Sequence, residues 1–275
     1  MAFLRSFGTG ASVARAVLGW VSRDPKAAGL RRTNFHGRTV TLAGGPALAA
    51  GATIGAATGA ANSRLAAAAV TAGAVSGAVG LYDDLVGNRP EQKAAKGFAG
   101  HLGALREGRV TSGLVKIGGV GAAGLAASAL IGSRRTGRFG RGVDVLLGAG
   151  VIAGTANLLN LLDLRPGRAL KAGMILGAPL AVGRGAAMTA GTLGASAALL
   201  PADLNEEIML GDSGANALGA LLGVAFTART GTAGRLAALA AIASLTAASE
   251  KVSFTRVIQD TPWLRYLDEI GRRPA

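Results

Sequence analysis

Long apolar runs, each close to a bilayer's thickness and separated by short clusters of charge, constrain this chain more than any other feature. Continuous Ala/Gly/Leu/Val stretches recur as far as residue 249, and Arg and Lys punctuate the gaps between them. One bilayer crossing takes about 20 mainly apolar residues, because a helix rises about 1.5 Å per residue through a hydrocarbon core about 30 Å thick. The 275 residues therefore have room for roughly eight or nine crossings with short loops. Only 16% of the residues are charged, against 50% hydrophobic, and mean hydropathy is +0.40. A transmembrane barrel needs apolar and polar residues to alternate, which these continuous runs do not do. The 44 glycines suit helices packed in lipid, where small residues let backbones approach. The expected fold is an all-α, polytopic membrane helix bundle, one integral-membrane domain spanning 1–275.

Candidate helices fall near 3–21, 40–61, 64–86, 110–132, 142–164, 168–183, 185–201, 211–228 and 232–249. The first carries Arg5 and Arg15 and reads as a first span or an interfacial helix rather than a cleavable signal. The segments 168–183 and 185–201 read either as two helices or as one long tilted helix broken at Arg184. Residues 251–275 form an amphipathic cytoplasmic tail, with Trp263 and Tyr266 suited to the membrane interface and to anchoring or lid duty. The net charge of +14 does not imply nucleic acid: the cations form no continuous stripe, and aromatic residues are only 4%. Loop cations beside anionic headgroups account for the excess. With no cysteine, disulfides, thiolate metal sites and cysteine nucleophiles are excluded.

Three acidic motifs interrupt the apolar pattern: Asp83-Asp84 in GLYDDLVGN, Asp163 in NLLNLLDLRPG, and Asp212 in LGDSGANALG. A carboxylate beside a membrane span is costly unless it faces a polar cavity, an ion or a partner. If the 21–39 loop is cytoplasmic, the parity of the spans brings all three motifs to the cytoplasmic face. The basic loops holding Lys26, Arg31, Arg32 and Arg38, and Arg89, Lys93, Lys96, Arg106 and Arg109, agree with that orientation. The loop SRRTGRFGRG disagrees, since the count puts Arg134, Arg135, Arg138 and Arg141 outside.

Adjacent carboxylates at a span end suit Mg²⁺, a hard cation that keeps waters and substrate phosphate oxygens in its shell; a helix end hydrated at the interface is the alternative reading of Asp83-Asp84. Asn157, Asn160 and Asp163 follow i, i+3, i+6 spacing and line up on one helical face; polar contact between helices is the alternative reading. The GDSG segment opening an apolar helix reads either as an N-cap or as a phosphate-binding helix N-terminus. Lys116 either snorkels to headgroups or binds pyrophosphate, and Lys96, His101 and Arg106 lie on a connection that reads either as a solvated basic loop or as a donor-phosphate contact. Asn34 and Gly37, in RRTNFHGR, read either as shaping an entrance or as ordinary polar loop residues.

In this order, the motifs resemble those of the polyprenyl-phosphate N-acetylhexosamine-1-phosphate transferase family, which includes phospho-MurNAc-pentapeptide translocase. The resemblance runs from about residue 31 to 258. It implies Mg²⁺-dependent transfer of a sugar 1-phosphate from a UDP-sugar to polyprenyl phosphate, with UMP released, in cell-envelope polymer synthesis. Carried over residue by residue, it implies catalytic roles for Asp83, Asp84 and Asp163, and metal contacts from Asp84, Asp163 and Asp212. Substrate contacts are expected from Asn157, Asn160, Lys96, His101 and Lys116. The chain departs from the family pattern in three places: Gly87 stands where a lysine is common, Asp163-Leu164-Arg165-Pro166-Gly167 replaces Asp-Gly, and the histidine-rich loop is missing. Those departures leave a second expectation, a catalytically silent accessory relative in envelope assembly. The expected setting is the plasma membrane, with the active site on the cytoplasmic face and a second copy of the chain as a homodimer partner.

Overall fold

The computed structural model describes residues 1–87, 89, 97–133, 135 and 137–273. They form a helix bundle with one small hairpin. The helices are α1 (Ala2–Arg23), α2 (Gly44–Thr58), α3 (Ser63–Val86), α4 (Gly97–Arg106), α5 (Ser112–Ile131) and α6 (Arg138–Leu162). They continue as α7 (Arg168–Gly177), α8 (Ala186–Leu204), α9 (Gly211–Arg229), α10 (Thr232–Ser249), α11 (Phe254–Asp260) and α12 (Pro262–Glu269). Four of them, α3, α5, α6 and α10, are each long and apolar enough to cross a bilayer.

Local sequence sets the helix ends. Asn62 Oδ1 accepts the Leu65 N–H at 3.0 Å to start α3, and Thr111 Oγ1 accepts the Leu114 N–H at 3.2 Å to start α5. Asp163 closes α6 with φ −78° and ψ 53°, outside helical geometry. The stretch 168–183 is not half of one long tilted helix. It is α7 followed by a 3-10 turn, Ala178–Ala181, and the left-handed Gly183 and Gly185 then redirect the chain into α8.

α9 is the axis of the bundle. Every residue from Ser213 to Ala225 is buried, as expected of a helix apolar all round. It packs chiefly on α6 and α3 and also on α2, while α1 lies against α2 and α8. Where Gly10, Gly55 and Gly191 meet, a Cβ on Gly55 would come within 2.8 Å of Gly191 Cα and 2.9 Å of Gly10 Cα, so no larger residue fits this crossing. α10 packs mainly on α6, and its one buried residue is Arg235, so the rest of its apolar surface faces outward.

The expected helix over 40–61 begins only at Gly44, because Thr39–Thr41 (β2) pairs antiparallel with Arg31–Thr33 (β1). Thr41 also bridges to Ile208: its carbonyl accepts the Met209 N–H at 2.8 Å. The hairpin is thus pinned to the α8–α9 connection, beside the start of the helix that carries Asp212.

Candidate functional site

Four carboxylates and one ammonium, from α3, α5, α6 and α9, meet at a single end of the bundle. Asp84, in the last turn of α3, accepts the Asp212 N–H at 2.9 Å with Oδ1 and the Ser213 N–H at 3.0 Å with Oδ2. Both N–H groups belong to the first turn of α9 and have no partner within the helix, so Asp84 caps α9 from a neighbouring helix and puts negative charge at its positive end. Gly211 makes this approach feasible. Its φ is +58°, and an added Cβ would lie 2.7 Å from Asp84 Oδ1.

Lys116, one turn into α5, places its ammonium 2.7 Å from Asp83 Oδ2 and in direct contact with Asp212 Oδ2. Its ammonium points to the acids, where two carboxylates replace the water it would otherwise need. This contact also accounts for Gly87. A Cβ at position 87 would meet Asp83 Oδ1 at 2.8 Å and Ser112 Oγ at 3.2 Å, so the backbone already packs on the carboxylate that Lys116 neutralises.

Asp163 is half-buried where α6 ends; it takes a hydrogen bond from the Gly211 backbone and feels the charges of Asp203, Asp212 and Asp84. It lines a cavity of about 220 Å³ together with Asn34, Phe35, Arg165, Asp203 and Glu206. The Arg165 guanidinium lies 3.8 Å over the Phe35 ring, a cation–π contact that closes one side. The expected stripe of Asn157, Asn160 and Asp163 is therefore split. The helix stops at Leu162, and Asp163 turns into this cavity while the two amides face elsewhere.

Asn157 and Asn160 line a groove of about 450 Å³ between α5, α6, α9 and α10, with Lys116, Asn216 and Glu250 as its other polar groups. Among the described residues neither amide bonds to a neighbouring helix, so the groove, not helix-to-helix bonding, accounts for their position. Apolar Ile117, Val120 and Leu161 wall the rest. Asn216 also donates to the Asp212 carbonyl at 2.7 Å, tying the groove to the acidic cluster. On the other side of Asp84, an open cleft is lined by Arg32, Arg89 and Gly211. Arg32 Nη2 donates to the Asp84 carbonyl at 2.8 Å, fastening the hairpin to α3.

Two supports of the site had no part in the expectations drawn from sequence. The first is Glu206, a buried residue in the left-handed region at φ 58°. It accepts from Asn34, meets His36 Nδ1 at 2.8 Å and Arg38 Nη1 at 3.2 Å. Burial pushes its carboxyl up, but bonds from His36 and Asn34 and the Arg38 charge outweigh burial and hold it below the ordinary glutamate range. The second is Asp203, buried on α8, which accepts the Gly167 N–H at 2.8 Å and so fixes the loop after Asp163. Acids clustered within eight residues of the Gly211-Asp212 motif were the signal available for both.

The tail folds back on that loop. Arg168 forms a two-pronged ion pair with Asp268 at 2.7 and 2.9 Å, and Arg272 adds a third bond at 2.7 Å. Burial pushes the Asp268 carboxyl up, and these guanidiniums more than reverse it, leaving it below the ordinary aspartate range. Lys171 Nζ donates to the carbonyls of Leu267, Asp268 and Ile270, closing the C-terminal end of α12. Trp263 and Tyr266 stay exposed on the outer face of α12.

Of the expected site residues, Asp83, Asp84, Asp163, Asp212 and Lys116 come together and Asn157 and Asn160 line the adjoining groove. Lys96 and the His101 side chain lie outside the described residues. Among the described residues, no three His, Cys, Asp or Glu side chains are grouped to hold a metal ion. Asp84 is taken up by amides and Asp212 by Lys116. Mg²⁺ usually needs only one or two carboxylates beside substrate phosphates, and four acids against one ammonium leave an excess of hard anionic oxygen that fits such an ion. No family model matches the chain, and no curated protein matches it.

Proposed function

We propose that the chain is a polytopic membrane transferase that moves a sugar 1-phosphate from a UDP-sugar, an N-acetylhexosamine derivative, to polyprenyl phosphate. The observation carrying this reading is the meeting of Asp83, Asp84, Asp163, Asp212 and Lys116 at one end of the bundle, where Lys116 also lines a groove that is polar at one end and apolar beyond. In this reading α2, α8, α9 and the α7 segment join the four long apolar helices as spans, and the acidic end faces the cytoplasm of the plasma membrane.

An acceptor phosphate oxygen attacks the sugar-linked phosphorus of the diphosphate; the bond to the bridging oxygen breaks and UMP departs with that oxygen. Asp163 and Asp212 are the carboxylates disposed to hold Mg²⁺, which when bound would neutralise diphosphate charge. Lys116 supplies a cation that can shift from carboxylate to phosphate oxygens. Asp84 fixes the first turn of α9 and so the position of Asp212. Asn157 and Asn160 give hydrogen bonds to the acceptor headgroup, and the apolar wall of the groove takes its first isoprene units.

Purified protein with undecaprenyl phosphate and a panel of UDP-sugars should release UMP only when Mg²⁺ is present, and Asp212→Asn should abolish release while the protein stays inserted. Release that persists without Mg²⁺, or in Asp212→Asn, would break the assignment. A catalytically silent accessory role in envelope assembly is the second reading. The contact of Lys116 with both Asp83 and Asp212 favours it, because both acids are then already in contact with a cation. No UMP from any donor would leave that reading standing alone.

A further inference from the structure

The end of the bundle remote from the carboxylates holds a second polar site. α3 and α9 each run the length of the bundle, so Leu65 and Arg229 lie about 25–30 Å from Asp84 and Asp212. There Leu65, Met188, Ala225 and Ala228 help wall a cavity of about 400 Å³, and Arg184 and Arg229 are the charged residues in its lining.

Both arginines are set up by local structure. Arg184 sits between Gly183 and Gly185, whose φ values of +73° and +77° suit glycine and turn the loop sharply. Among the described residues, Arg184 has no hydrogen bond or ion pair. Arg229 uses Nη1 to hold the Val182 carbonyl at 3.0 Å, while its Nη2 is buried and has no hydrogen-bond partner. A buried guanidinium N–H without an acceptor carries its desolvation cost uncompensated, and only an incoming acceptor recovers it.

Charge at this end points to the class of acceptor. Arg64, Arg135, Arg138, Arg141, Arg184 and Arg229 gather here, and among the described residues Asp144 is the one carboxylate at this end. Asp144 is already engaged by Ser133, Thr232 and Arg235. No carboxylate is therefore left for the pair in the cavity.

We infer that this cavity binds a phosphate oxyanion, carried by an anionic membrane lipid. Two arginines lining one small volume, one of them with an unpaired buried N–H, match the oxygens of a phosphate mono- or diester. The apolar wall and the position at the ends of the spans favour a headgroup with its glycerol and acyl carbons over a free ion. The site is distinct from the acidic end, so a lipid held here anchors the α7–α8 loop against the end of α9.

The test uses the full chain, delipidated in a mild detergent, with dioleoyl phosphatidylglycerol, dioleoyl phosphatidylcholine and inorganic phosphate added in separate arms. Bound copies are read by native mass spectrometry and protection by thermal unfolding. Phosphatidylglycerol should be retained and should raise the melting temperature more than phosphatidylcholine. Arg184→Gln, which removes no internal contact, should weaken its binding about tenfold, the loss of one charge-assisted bond. Arg229→Lys should weaken it similarly while keeping a donor for Val182. Arg138→Gln, at the same end but outside the cavity, should bind as the parent does. Protection by inorganic phosphate alone that Arg184→Gln abolishes would overturn the lipid source and assign the site to free phosphate. Equal phosphatidylglycerol affinity in the parent, Arg184→Gln and Arg229→Lys would overturn the site itself.

Discussion

Replacing Asp84 by asparagine separates architecture from chemistry within the acidic cluster. The two Asp84 oxygens each accept one N–H from the first turn of α9, at 2.9 and 3.0 Å. An asparagine keeps one acceptor and turns an NH2 group toward the other N–H, so one charge-assisted bond becomes neutral and the other becomes a donor–donor contact. Losing a hydrogen bond to a charged group costs about 1.5–3 kcal/mol, and an N–H left without an acceptor adds about 1 kcal/mol. Removing negative charge from the start of a 19-residue helix adds a further ~0.3–1 kcal/mol. The expected loss is about 3 kcal/mol. Asp83→Asn is the control: it keeps an oxygen for Lys116, touches no α9 amide, and should cost less than about 1 kcal/mol. Reversible unfolding in mixed micelles, titrated with a denaturing detergent, reads both variants on one scale. If Asp84→Asn falls within about 0.5 kcal/mol of Asp83→Asn, Asp84 does not hold α9, and the cap described here is wrong.

Gly211→Ala should lose about 1–3 kcal/mol in the same assay, since its Cβ would press on Asp84 Oδ1 and Leu42 Cδ2, each at 2.7 Å, from a left-handed backbone; an unchanged midpoint would contradict that packing. Because the folded Glu206 carboxyl titrates below its ordinary range, its stabilisation is complete above that range and is lost as pH falls through the folded value. Protection of the Arg31–Thr41 hairpin amides, taken against their intrinsic exchange rates, should therefore fall as pH drops below the ordinary glutamate range, and Glu206→Gln should flatten that dependence. Arg168→Met leaves Asp268 buried with only Arg272 beside it, which should cost about 3 kcal/mol and expose the tail to limited proteolysis. Adding Asp268→Leu should restore much of the loss, and failure to do so would show that the ion pair is not what holds the tail.

The sequence alone was enough to place most of the helices, because a membrane span writes itself as a long apolar run with charges pushed to its ends. The stretches 64–86, 110–132, 142–164, 211–228 and 232–249 match α3, α5, α6, α9 and α10 to within about four residues. That the acids occupy one end also follows from order and span length. Three-residue strands leave no such signature, so the Arg31–Thr33 and Thr39–Thr41 hairpin was hidden inside a loop and a helix start.

Only the tertiary structure decided what each acid touches. Lys116 could be read from sequence as reaching headgroups or pyrophosphate; contact across 96 residues of sequence with Asp212 turns it to the acids. Spacing put Asp163 on one face with Asn157 and Asn160, but helical periodicity holds only while the helix lasts, and α6 ends one residue too soon. A carboxylate beside a span needs a partner, and for Asp84 the fold supplies two backbone amides of α9. Apolar length is a local property and can be read along the chain, whereas the neutralisation of a buried charge is settled by whichever group the fold brings within about 3 Å.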